Sequence, residues 1–156
     1  MNTGNTVVSV LSVIALISPF VYAYIKNKRI QNELINNLKK HAIDNGFSLD
    51  RWEVDNTLIL GIDEGNHIAF WGLKQGNEVK TSHVKLRDFS SCNVIRDNSK
   101  TGEELSTSLL EICFYPRDKK LDTQSFILFD ERDGGRISGE LMLGNKWINI
   151  YKEFIK

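Results

Sequence analysis

Metal, nucleophilic and acid–base chemistry in this chain would have to come from its three histidines, two cysteines and scattered carboxylates, and their spacing favours none of the three. His41, His67 and His83 stand far from one another and from either cysteine, outside the short-range ligand spacing of a metal motif. His67 and His83 are expected as ordinary histidines on strand surfaces. Cys92 and Cys113 form no CxxC, so zinc and dithiol redox motifs are absent. Each falls within an expected strand and reads as a small buried hydrophobe, reduced rather than bridged.

The carboxylates are equally uncommitted. The run Asp130-Glu131-Arg132-Asp133-Gly134-Gly135 has the composition of a calcium loop but lacks its alternating ligands and downstream bidentate Glu, so it reads as a charged turn. Asp88 could work with Glu103 or Glu104 as an acid–base pair only if the fold joined them. There is no G-x-S-x-G, no phosphate-cradling Gly-Lys loop and no Rossmann glycine set. No catalytic residue, cofactor or metal is expected, and an enzyme of unrecognised type is the least favoured reading.

What remains are bases that could touch a partner: Lys26, Lys28 and Arg29 in one cluster, Arg117, Lys119 and Lys120 in a second, Arg132 and Arg136 in a third. The plain alternative is that they keep loops soluble. Twenty Lys and Arg balance twenty Asp and Glu across 156 residues. A neutral balance lacks the basic footprint that nucleic-acid binding requires.

The elements that must position these groups begin with residues 1–25. Val7–Ile25 carries no charged residue, and as a helix it rises about 28 Å, close to the hydrocarbon thickness of a bilayer. The bases follow it at once, so the positive-inside rule places the N-terminus outside and the remainder in the cytoplasm. A buried core helix and a cleaved signal peptide, with Val21 and Ala23 as its small-residue pair, are the competing readings. Pro19 is tolerated in a membrane helix when neighbouring groups satisfy the freed carbonyl.

Residues 26–46 form an amphipathic connector, with Ile30, Leu34, Ile35, Leu38, His41 and Ala42 on one stripe, Ile43 off it, and Gly46 as the stop. The stripe could pack on the following domain or pair with a second copy as a short coil, and the leading bases could meet anionic head groups. Residues 47–156 then alternate with the period of strands. Strands are expected over 57–63, 67–73, 78–86, 91–97, 107–115 and 125–129, with 97–102 as a polar loop. Leu58, Leu60 and Ile62 share one face, Ile68 and Phe70 lie inside, and 125–129 is buried on both faces. Ser138 is expected to cap a terminal helix bearing Leu143, Trp147, Ile150, Tyr151 and Phe154. The fold class is α+β: an N-terminal transmembrane helix, then an antiparallel curved sheet or partly open barrel capped by a C-terminal helix.

That order of strands and one capping helix resembles the pleckstrin-homology-like superfold. The phrases LILGIDEGNHIAFWG, VKLRDFSSCNVIRD, LLEICFY and SGELMLGNKWINIYKEFI resemble an uncharacterised family of membrane-anchored bacterial proteins common in the Bacteroidetes. The resemblance rests on Gly61-Ile62-Asp63, Leu86-Arg87-Asp88-Phe89, Cys92, Glu140, Gly144 and Trp147, which are packing and turn positions. It implies a PH-like domain that binds through loops or a sheet edge. The leading expectation is a single-pass protein of the bacterial inner membrane displaying a cytoplasmic module for a protein or peptide partner. The second is a sensor of anionic lipid surfaces, and homo-oligomerisation through the connector is a further expectation.

Overall fold

The computed structural model describes residues 3–101, 104–118, 120–133 and 137–155, with side chains described over 14–98, 107–118, 120–133 and 137–155. Lys119 and Arg136 therefore lie outside the described residues.

A single helix, α1, runs from Thr3 to Asp44 with Pro19 inside it. Its end is set by Gly46, which takes φ +78°, a conformation that costs glycine nothing. The amides of Gly46 and Phe47 bond back to the carbonyls of Ile43 and Ala42, each at 2.9 Å. Leu34, Leu38 and Ala42 are buried, Ile30 and Ile35 pack beside them, and Ile43 is 72% exposed. The connector stripe is thus spent on the chain's own sheet.

Seven antiparallel strands follow among the described residues. The first sheet has the order β1-β2-β3-β4: β1 (Arg51–Asp55), β2 (Leu58–Asp63), β3 (Ile68–Gln75) and β4 (Glu78–Lys85). The second is β5 (Phe89–Thr101), β6 (Glu104–Pro116) and β7 (Gln124–Asp130). Short 3-10 turns, Leu86–Asp88 and Glu131–Asp133, precede β5 and follow β7, and α2 spans Glu140–Phe154.

The sheets face each other across one core. Leu58, Leu60, Ile62, Ala69, Trp71 and Leu73 meet Cys92, Leu110, Ile112, Phe114, Phe126 and Leu128, and α2 adds Leu143, Trp147 and Tyr151. The Trp71 indole N–H donates to the Ile127 carbonyl at 2.5 Å, tying one sheet to the other. A second core lies on the outer face of the first sheet, where Ile59, Ile68 and Phe70 meet Leu34, Leu38 and Ala42. Each of these large side chains contributes about 1.5–3 kcal/mol by leaving water.

Several expectations are corrected. β1 was not anticipated: only Trp52 and Val54 alternate in it, and its register with β2 fixes it as an edge. β2 is buried on both faces because α1 covers the side away from the main core. Ile68 and Phe70 are buried, but under α1 rather than between the sheets. Residues expected as a loop after Asp97 continue β5 to Thr101, paired with β6 beyond a register shift at Asp97/Asn98. β7 buries Phe126, Leu128 and Phe129 but not both faces throughout. Ser138 does not cap α2: its amide and hydroxyl donate to Glu140 Oε2, and among the described residues no side chain caps the helix.

Among the described residues no helix is long and apolar enough to cross a membrane. The described apolar run begins at Ile14, and from there to Ile25 it rises about 18 Å, short of a hydrocarbon core. The crossing expected over 7–25 gains no support from it, and the side chains of 7–13 lie outside the described residues. The residues that follow are nonetheless unusual for a water-facing helix. Ile14, Leu16, Ile17, Phe20, Val21, Tyr22, Tyr24 and Ile25 are all exposed, from 47% to 76%.

Candidate functional site

Two contacts orient α1 against the sheets and divide the domain into ends. Glu33 pairs with Lys74 at 2.6 Å, and two turns on, His41 meets His83 at 2.9 Å. His83 is in register with Phe70 of β3. α1 and β3 therefore run antiparallel. The end nearer the exposed apolar turns holds Lys26 and Ile30 together with Thr57, Gln75–Asn77, Asp130, Asp133 and Glu140, around an open cleft of about 600 Å³. The far end holds His67, whose carbonyl accepts from the Leu86 amide, and Asp88, whose carbonyl accepts from the Arg117 amide. The length of β3 separates the ends by about 23 Å.

The sequence-derived contacts are split by this geometry. Lys26 lines the near cleft, Lys28 lies over the Tyr24 ring, and Arg29 is exposed. Arg132 is also near, but its guanidinium is bound to Asp130, with Nη2–Oδ2 at 2.6 Å. Hydrogen bonds from that guanidinium hold the Asp130 carboxyl below its usual range. Arg117 is at the far end, where its Nε donates to the Arg87 carbonyl at 3.1 Å. Lys120 follows it in a turn closed by its own amide on Asp118 Oδ1. The basic loops are thus not gathered beside the helix that would carry them to a membrane.

The near cleft is mixed in charge and largely satisfied. Lys74 is held by Glu33, Gln75 donates to Asp133 at 2.7 Å, and Glu140 accepts from the Ser138 amide at 2.6 Å. At the far end a smaller groove of about 400 Å³ lies between β4 and the segment before β7, lined by His83, Lys85, Asp88, Phe89, Leu121 and Asp122 among others. Leu121 is 53% exposed there.

Among the described residues, nucleophilic and acid–base constellations do not assemble. Both thiols are free and buried. Burial pushes Cys92 up to about 11; burial, then the Glu111 carboxylate at 3.1 Å, pushes Cys113 to about 12. Neither is a ready thiolate at neutral pH. Asp88 ends the 3-10 turn before β5, at the opposite end of the β5–β6 ladder from Glu104, and Glu103 lies outside the described residues. Asp55 is raised by burial and by Glu140 and Glu53, and it packs on Gly139, where any Cβ would collide with it. Among the described residues no three His, Cys, Asp or Glu side chains gather as a metal site would need.

Sequence reasoning missed the histidine pair. His41 Nε2 and His83 Nδ1 share one hydrogen bond at the seam between α1 and β4, against Phe47 and Phe70. His83, expected on a strand surface, is half-buried. The partial signal was His41's place on the apolar stripe; nothing local points to its partner 42 positions on. His67, with φ +58°, packs its ring on Phe154. No protein-family model, curated protein or solved structure matches the chain.

Proposed function

We propose that this protein is a membrane-tethered interaction module: α1 enters the bilayer through its N-terminal part, N-terminus outside, and presents a PH-like sandwich to the cytoplasm of a bacterial cell. The observation that carries the tether is the row of exposed apolar side chains from Ile14 to Ile25, leading without a break into Lys26, Lys28 and Arg29. Surface of that kind needs a covering, and the uncharged run continues to Val7 in the sequence. Antiparallel strands in two sheets followed by one C-terminal helix support the PH-like reading, which rests on several strands and then one capping helix. The module's partner is a protein or peptide, met at the far end, which holds Arg117 and Lys120.

The placement of the basic loops favours this over a lipid-sensing role, because Arg117 and Lys120 are remote from Lys26 and Arg132 is engaged by Asp130.

The test uses the full chain in cells. Carbonate washing should leave it in the membrane pellet, and release into the supernatant would remove the tether. Photo-crosslinkers at Arg117 and Lys120 should capture a discrete protein, with less capture from Trp52. Crosslinks from Arg117 and Lys120 to lipid alone would overturn the protein-partner reading. A reporter after Lys156 active only outside the cytoplasm would overturn the orientation.

A further inference from the structure

The seam between α1 and the first sheet is apolar through Leu34, Leu38, Ala42, Ile59, Ile68 and Phe70. Its C-terminal stretch differs, because there the two elements meet through imidazoles. His41 Nε2 and His83 Nδ1 are 2.9 Å apart, with ring centroids 5.1 Å apart. At that separation one nitrogen must carry the proton and the other must accept it. Two neutral rings satisfy this, and so does a pair with one added proton. Two imidazoliums do not: both facing nitrogens then carry hydrogen, and like charges sit side by side against Phe47 and Phe70.

We infer that the His41–His83 contact is an acid-sensitive latch, holding the last turns of α1 on the sheet while at most one added proton is present and releasing them when both rings are charged. The charged groups around the pair work in opposite directions. On α1, Asp44 favours charge on His41; on β4, Lys85 disfavours it on His83. Phe70 from β3 and Phe47 from the segment after α1 offer no counter-charge, while Asp88 and Asp122 line the groove that His83 also lines. Burial moves both rings below the ordinary histidine value, and on His83 the neighbouring His41 adds to it. A group whose folded value is depressed in this way stabilises the closed seam above the ordinary value near 6.5. That contribution falls away as pH drops through 6.5 toward the folded value.

Hydrogen exchange of the full chain in detergent micelles tests it, after correction for the intrinsic pH dependence of exchange. Protection of amides 34–44 should fall between about pH 7 and pH 5, by up to about tenfold per pH unit for each proton that the released rings take up and the closed pair does not. Protection over Glu140–Phe154 of α2 should hold. In His83→Gln, whose amide can bond His41 without becoming charged, the loss over 34–44 should shrink to the share that burial of His41 alone contributes. Equal loss in wild type and His83→Gln, or loss spread equally over α2, would overturn the latch. Because His83→Gln could itself loosen the seam, a second readout needs no variant: NMR titration of the wild-type imidazoles. Both rings charged while amides 34–44 stay protected would overturn it; the second protonation coinciding with loss of protection supports it.

Discussion

The Tyr151 hydroxyl sits between two carbonyls of adjacent strands, 3.2 Å from Gly61 O and 3.3 Å from Phe70 O. Tyr151 is fully buried, so this one group fixes α2 to β2 and β3 from inside the core. Gly61 and Phe70 are themselves paired in register. Removing the hydroxyl leaves the carbonyls without that donor. Tyr151→Phe should cost about 1–3 kcal/mol, measured by denaturant unfolding of the full chain in detergent. An unchanged midpoint would show that α2 is held by packing alone.

The second core should behave as part of the domain rather than as decoration on a stalk. Leu38 is fully buried against the sheet, and Leu38→Ala should destabilise by about 2–5 kcal/mol. Gly72→Ala probes the same contact, since its Cβ would come within 2.7 Å of Ile59 Cγ2, with Leu38 Cδ1 just beyond. It should cost about 1–3 kcal/mol by overpacking. If α1 were a free stalk, Leu38→Ala would leave the unfolding curve unshifted, while Gly72→Ala would still shift it through Ile59 of the neighbouring strand.

The thiols should be nearly inert. With Cys92 at about 11 and Cys113 at about 12, roughly one thiol in a thousand or fewer is thiolate at about pH 8. Alkylation by a soluble reagent should be slow in the native chain and complete in denaturant, followed by mass spectrometry. Cys92 points into the core and Cys113 bonds Glu111, and no disulfide should form between them under oxidation of the folded chain.

Asp63 should give the acid limb of stability. It is 1% exposed, and burial alone would raise its pKa; the bonds from Asn66 and Ser48 outweigh that and lower it. The Asn66 amide lies at 2.7 Å, and the Asn66 side chain and Ser48 amide at 2.8 Å. A carboxyl lowered on folding stabilises the native state above its unfolded value, 3.8, and that share is lost as pH falls through the folded value. Asp63→Asn should therefore cost about 1–3 kcal/mol near neutral pH, and the gap to wild type should narrow below about pH 4. A gap constant across pH would assign the effect to shape rather than charge.

How much of this could be read without coordinates follows from the range of each cause. The stripe Leu34–Leu38–Ala42 and the alternations Leu58–Leu60–Ile62 and Leu110–Ile112–Phe114 are local periodicities, and they fold as their spacing indicates. β1 escaped because its register comes from β2, not from its own two apolar residues. Ser138 looked like a cap because its type suits one; the Glu140 carboxylate takes its donors instead. The histidine pair and the division of the basic groups between two ends were beyond reach, because each depends on α1 lying antiparallel to β3.

The unbroken run of α1 from its exposed apolar turns to Ala42 has a geometric corollary. A helix advances about 100° and 1.5 Å per residue, so the number of residues between Ile25 and Ile30 sets the compass bearing of the whole sandwich about the helix axis. One residue inserted there would swing the far-end groove about a quarter-turn around that axis while lifting it hardly at all. Residue count in this short collar is therefore a dial for azimuth, and the direction in which the domain offers Arg117 and Lys120 is written in it.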